Sequence, residues 1–169
     1  SVSYFKGDEL AATTWINKYA LKTSDGTYNE LTPDDMHRRM AVEFGRIEAK
    51  YNKEKTPTEG LSVYGKNRKK STEKYIYNLF KDFKYVIPQG SVMFGLGNHE
   101  MTASLSNCVV IPPVYDSYGG IFYTDQQMAQ LFKRRCGVGV DLSELRPKDA
   151  KVSNAAGTTT GAVSFMNRF

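Results

Sequence analysis

Between Thr32 and Tyr51 the apolar positions fall on one stripe. Met36, Met40, Phe44 and Ile47 are spaced by three and four residues, which places their side chains on one face of an α-helix. Thr32-Pro33-Asp34-Asp35 stands ahead of the stripe as a start signal: a hydroxyl N-cap, proline at the first helical position, and acids in the first turn. The pattern predicts a helix from here to near Tyr51. Upstream, "GDELAATTWINKYAL" sets Leu10, Thr14 and Ile16 beside Trp15 and Tyr19 among good helix formers, and predicts an earlier helix. The turn signal Asp25-Gly26 separates the two. A further helix is predicted over 71–83, with Tyr75, Leu79 and Phe83 on its buried face and Ile76 and Phe80 beside them. Residues 52–70 are polar, basic and broken by Pro57, Gly60 and Gly65, which predicts a long loop.

After Phe83 the texture changes. "KYVIPQGSVMFGLGNHE" is short, apolar and glycine-rich, and "SLSNCVVIPP" predicts a buried strand leaving a turn. "TDQQMAQLFKRR" (124–135) predicts a helix with Met128, Leu131 and Phe132 inward and basic residues at its end. "CGVGVDLSEL" (136–145) predicts another strand. Strand, helix, strand is the pattern of a parallel crossover. "TTTGAVSFMNRF" opens as an amphipathic helix. The expected fold class is therefore α/β: a helical N-terminal region over 1–83, with its basic loop at 52–70, then the opening of an α/β domain over 84–169. A parallel α/β domain needs several strands with both faces covered, so this one is expected to be incomplete. No internal repeat is visible.

Composition narrows the classes. The 169 residues, 40% hydrophobic and 24% charged, suit one soluble globular domain or two small ones. No apolar stretch approaches the roughly 18 residues of a membrane span, and the first ten residues do not read as a signal peptide. With two cysteines no disulfide scaffold is expected, and free thiols point to the cytoplasm. The net charge of +5 gathers in "GKNRKKSTEK" (65–74) and "KRR" (133–135). Such clusters suit nucleotide phosphates or nucleic acid, though a solvated helix flank is the commoner meaning of any single one. Single-stranded nucleic acid would ask for aromatics grouped with the charge, and only Tyr64 is near.

Two cysteines carry the candidate chemistry. Cys108 stands where a polar turn meets a strand. Free cysteine usually packs as a small hydrophobe, yet parallel strands present functional groups at their ends, so both readings stand. Cys136 opens "CGVGV", where backbone can approach a ligand or where the thiol simply fills space. Arg146, after "DLSEL", is a phosphate-binding candidate or an exposed loop arginine. His37 and His99 have no partners at metal-ligand spacing, so both are read as surface histidines and no metal site is expected. There is no Walker motif and no Gly-x-Ser-x-Gly elbow.

"SLSNCVVIPPVYDSYGGIFYTDQQMAQLFKRRCGVGVDLSELRPKDA", with "TTTGAVSFMNRF", resembles the large, catalytic subunit of ribonucleotide reductase. "YFKGDELAATTWINKYAL" and "TPDDMHRRMAVEFGRIE" resemble that family's N-terminal helical region. The resemblance implies the first strands of a ten-stranded α/β barrel that reduces ribonucleotides to deoxyribonucleotides by thiyl-radical chemistry. It implies that Cys108 is one of two cysteines that reduce the substrate and become a disulfide. Ser106, Asn107 and Gly137 would line the substrate pocket, and Ser91 would hold substrate phosphate. Asp116 and Ser117 match an acid-serine pair that reads the specificity-effector nucleotide at a dimer interface, and Arg146 matches an arginine that contacts effector phosphate. Two positions depart from the family pattern: Cys136, where Gly or Ala is common, which brings a second thiol near Cys108, and Val92, where proline often follows the residue matching Ser91.

The same resemblance places the radical-bearing cysteine, the second reducing cysteine and the second specificity loop beyond these residues, and the chain does not open with the usual ATP-binding cone. The expectation is an N-terminal portion of the catalytic subunit, inactive alone and completed by a complementary C-terminal chain. The completed subunit would form homodimers and bind ribonucleotide substrate and deoxynucleoside triphosphate effectors. No cofactor is expected on this chain; the radical would come from a metal-containing partner subunit or from adenosylcobalamin. A rival reading is a non-catalytic nucleotide-sensing module that keeps only the effector site.

Overall fold

In the computed structural model, which describes residues 1–52, 60–67 and 71–169, Asp8 caps the first helix, α1 (Glu9–Lys18), by accepting from Ala11 N at 2.9 Å. Ala12 and Trp15, three apart, are the residues it buries, whereas Leu10 is 79% exposed. Leu10 lies off the stripe that Ala12 and Trp15 define.

The second helix, α2 (Pro33–Asn52), starts where the sequence signal put it. The contact that closes its start comes from the acid: Asp35 accepts from Thr32 N at 2.9 Å, from Leu31 N at 3.1 Å and from the Thr32 hydroxyl at 3.0 Å. This is the carboxylate half of a capping box. Met36, Met40 and Ala41 are fully buried, and Phe44 packs against them.

Part of the expected 52–70 loop is helical instead: Val63–Asn67 form α3. The remainder of that loop at 53–59 and 68–70 lies outside the described residues, and with it much of the basic cluster. The next helix, α4 (Glu73–Phe80), is capped by the Thr72 hydroxyl, and a 3₁₀ turn at Lys81–Phe83 follows. Its inner pair is Ile76 and Phe80; Tyr75 is 56% exposed. The wholly apolar pair takes the core side while the tyrosine keeps its polar end wet, which corrects the expected face.

A short helix, α5 (Gly90–Gly95), closes the helical unit. Met93 and Leu96 join Trp15, Met36, Met40, Ile76 and Phe80 in one core. The chain accordingly divides into compact units at Ser1–Leu105 and Ser106–Phe169. The change in texture at Phe83 suggested an earlier boundary; Met93 and Leu96 move it because their burial belongs to the helical core.

In the second unit β1 (Cys108–Val110) and β2 (Gly137–Gly139) pair in parallel, Cys108 opposite Gly137 and Val110 opposite Gly139. Both are shorter than expected. Pro112 and Pro113 have no N–H to give, so the ladder ends after Ile111 N donates to Gly139 O at 3.0 Å. Nor is β1 a buried strand: Cys108 and Val110 are exposed, Val110 by 85%. The connecting helix, α6 (Tyr118–Phe132), begins before the predicted 124 because Ser117 caps it, Oγ accepting from Gly120 N at 3.0 Å. Met128 is buried as expected, but Phe132 is 49% exposed. The short α7 (Ala162–Met166) follows. Val114, Ile121 and Leu145 form the core of this unit, edged by Val140, Leu142 and Phe165. Among the described residues no helix is long and apolar enough to cross a membrane.

Candidate functional site

Cys108 sits at the first position of β1, where the Ser106-Asn107 turn delivers it. The turn is fixed from across the sheet: Gly137 N donates to Asn107 O at 2.7 Å. Cys108 is an exposed, free thiol. Its cross-strand neighbour is glycine, and a Cβ built at Gly137 would lie 3.1 Å from Cys108 Sγ. Any side chain there would crowd the sulfur, so Gly137 keeps the space beside the thiol open. Ser106, Asn107, Cys108 and Gly137 are thus brought together.

Cys136, one residue earlier than Gly137, is 2% exposed and its thiol donates to Gly137 O at 3.4 Å. The two cysteines are not bonded to each other and occupy different environments. The burial of Cys136 fits the space-filling reading, while its chain neighbour Gly137 pairs with Cys108 in the sheet.

A second cluster forms around α6. Asp116 precedes its cap, and Arg146 reaches it with Nε 2.6 Å from Asp116 Oδ2, while Arg146 N donates to Oδ1 at 3.4 Å. Both side chains are partly exposed, Arg146 by 39% and Asp116 by 33%. Asp116, Ser117 and Arg146 line a cleft of about 330 Å³ whose far wall is the 152–160 segment. That wall was not foreseen. It is a looped-back ribbon in which Lys151 bridges Thr158, Asp149 N donates to Thr159 O at 3.0 Å and Thr159 N to Ala150 O at 3.1 Å. The ribbon closes at Gly161, whose φ of 88° and approach to the Lys148 backbone leave no room for a side chain. Ser153, Asn154 and Thr158–Thr160 add hydroxyl and amide groups to the cleft. A carboxylate, a guanidinium and several hydroxyls converging on one opening suit a polar, charged ligand.

Ser91 lies in the helical unit, buried in the first turn of α5. His99 is exposed, as expected. His37 is not a surface histidine: it is fully buried on α2, edge-on to Phe83 at 4.6 Å and stacked on Phe80 at 6.4 Å between centroids. Neither ring nitrogen has a hydrogen-bond partner among the described residues. Burial pushes its pKa below the usual histidine value, against the opposing pull of Asp34 and Asp82. No group of three or more potential metal ligands exists among the described residues.

Two family models match the chain. One, described as "Ribonucleotide reductase, all-alpha domain", covers residues 5–100, and one described as "Ribonucleotide reductase, barrel domain" covers 106–169. A vitamin B12-dependent ribonucleoside-diphosphate reductase of Thermoplasma acidophilum is 30% identical over 90% of this chain and 25% of its own length. Mycobacterium tuberculosis reductases of the same description are 38% identical over 38% of the chain and 9% of their length. The chain therefore spans at most about a quarter of these relatives.

Proposed function

Because the chain belongs to the ribonucleotide reductase family, we propose that it supplies one substrate-reducing thiol and part of two nucleotide sites to a reductase catalytic subunit. The observation that carries this is Cys108: exposed, set at a strand end, and faced by a glycine that leaves its sulfur clear.

Replacing the ribose 2′-hydroxyl by hydrogen consumes two electrons and two protons. Two thiols supply both, giving deoxyribonucleotide, water and a disulfide. In this reading Cys108 is one of the pair, and its partner cysteine and the radical-bearing cysteine lie outside these 169 residues, so the chain alone is inactive. The Ser106-Asn107 turn and the backbone of Gly137 form the wall beside the sulfur, and Ser91 holds substrate phosphate. Asp116, Ser117 and Arg146 receive a deoxynucleoside triphosphate effector: the Nε edge of Arg146 is spent on Asp116, so its Nη groups are the donors that phosphate meets. The assembled subunit acts as a dimer.

The relatives' names favour adenosylcobalamin as radical source and a diphosphate substrate. Bound cobalamin would supply the initiating radical. His37, walled in by Phe80 and Phe83, does not fit a cobalt ligand, whereas His99 is exposed and lines an open cleft with Glu43 and Glu100, where the described residues gather no group of three potential metal ligands.

The test is turnover by the assembled reductase. Cys108→Ser should lower kcat by roughly 10³-fold or more with the fold intact, and Cys136→Ser should leave at least a third of it. Equal activity of Cys108→Ser and wild type would refute the reading. The Asp116–Arg146 cleft, built wholly within the second unit, favours a second reading: a nucleotide-sensing module without chemistry. That predicts deoxynucleoside triphosphate binding lost in Arg146→Ala and untouched in Cys108→Ser, in an assembly where Cys108→Ser has no catalytic effect.

A further inference from the structure

We propose that Arg39, whose side chain on α2 is 10% exposed, is a positioning residue for substrate phosphate: it locks in place α5, the helix that carries Ser91. This deepens, and rests on, the reading of Ser91 as a phosphate-binding residue.

The guanidinium of Arg39 works in two directions. Toward one side Nε meets Glu30 Oε1 at 2.6 Å and Nη2 meets Glu30 Oε2 at 3.2 Å. Toward the other, Nη2 donates to Met93 O at 2.8 Å and Nη1 donates to Leu96 O. The side chains of Arg39 and Glu30 are only 10% and 5% exposed, and Glu30 Oε2 is further fixed by Leu21 N at 2.9 Å. A buried ion pair is a poor source of net stability, because desolvation offsets most of the attraction. What a planar, multiply bonded guanidinium supplies is geometry.

The segment it holds has little rigidity of its own. α5 is six residues long and Gln89 gives it no side-chain cap, so isolated it would be far too short to persist. It is pinned from outside. Gly90 lies so close to Tyr19 that a Cβ there would stand 3.0 Å from the ring, and Gly97, at φ 72°, turns the chain directly over the Arg39 stem. The two carbonyls that Arg39 grips are linked to the residues around Ser91: Leu96 N donates to Val92 O and Met93 N to Gln89 O, both at 3.0 Å. Loosening the grip therefore loosens the turn that carries Ser91. The sequence hid this role, since Arg39 stands in "HRR" and reads as surface charge.

Arg39→Lys in the assembled reductase is the test, with Ser91→Ala alongside. Lysine keeps a cation beside Glu30, so no unpaired buried charge results, but one ammonium cannot span both carbonyls and the carboxylate. Expected are a rise in KM for the ribonucleotide of about tenfold, kcat within about twofold, and faster amide exchange confined to residues 90–97. Ser91→Ala should raise KM similarly, and the double variant should be no worse than the worse single, as for two residues acting through one contact. If Ser91→Ala leaves KM unchanged, the phosphate reading and the role of Arg39 fall together. If Ser91→Ala raises KM but Arg39→Lys does not, or the two effects add, only the role of Arg39 is overturned. Should Arg39→Lys not fold, the neutral pair Glu30→Gln with Arg39→Met is scored by the same outcomes.

Discussion

In the helical unit Met36, Met40 and Ala41 have no exposed surface, whereas in the second unit Val110 keeps 85% of its surface in water while sitting in a strand. The contrast follows from how each element hides its apolar side. A helix buries one stripe, and α2 finds α4 and α5 within the same unit to cover it. A parallel sheet needs cover on both faces and neighbours on both edges. The two three-residue strands here have one another and a three-residue core of Val114, Ile121 and Leu145. The candidate residues Cys108 and the Asp116–Arg146 cleft both belong to the second unit, and Cys108 is exposed there.

The largest expected effect breaks the helical side. Met40→Ala should cost about 2–5 kcal/mol, the usual range for truncating a fully buried methionine. The single tryptophan, Trp15, is buried in the same core and reports the loss directly in a denaturant titration. A cost below about 1 kcal/mol would mean that the core is not the continuous one described.

Next comes the pH response of His37. Its pKa in the folded chain is lowered by burial, so folding disfavours the proton. Stability is complete above the ordinary histidine value of about 6.5 and falls as pH drops below it, by at most about 1.4 kcal/mol per pH unit. Asp34 and Asp82, the acids that face it, temper this fall. Asp34 itself acts in a lower window. Burial opposes its ionisation, but hydrogen bonds from Tyr77 and Arg38 outweigh that and hold its carboxyl below the usual value. Denaturation midpoints of His37→Leu should therefore change less between pH 7.5 and 5.5 than those of wild type. An unchanged difference would place the acid sensitivity elsewhere.

The smallest effect sharpens the other side of the comparison. Val110→Thr should change the stability of the chain by less than about 0.5 kcal/mol, as for an exposed position. If the strand is covered once the reductase is assembled, the same substitution should cost more there. Equal small costs in both would show that Val110 stays in water.

Much of the helical unit was legible because its signals are local: the Thr32-Pro33 start, the acids behind it, and the stripe of α2. His37 was misread although the period held it, for His37, Met40, Ala41 and Phe44 follow the spacing of one face. The lack of partners at metal-ligand spacing gave it no role and left it to the surface, and only the packing of Phe80 and Phe83 decides otherwise. The strands were legible as elements but not in length, since Pro112 and Pro113 end pairing in a way that depends on which partner lies alongside. The ribbon at 149–159 is held mainly by backbone bonds, which leave little trace in residue type. Local residues leave Cys108 open between filler and reagent, and only the long collinear resemblance implies the reagent; its exposure and the burial of Cys136 are set by packing that residue type does not reveal.

The most direct measurement is a single turnover of the assembled reductase without external reductant, followed by peptide mapping of its disulfides. The account predicts that Cys108 is oxidised in proportion to deoxyribonucleotide formed, bonded to a cysteine outside these 169 residues, with Cys136 still a free thiol. Product formed while Cys108 remains a free thiol would contradict it.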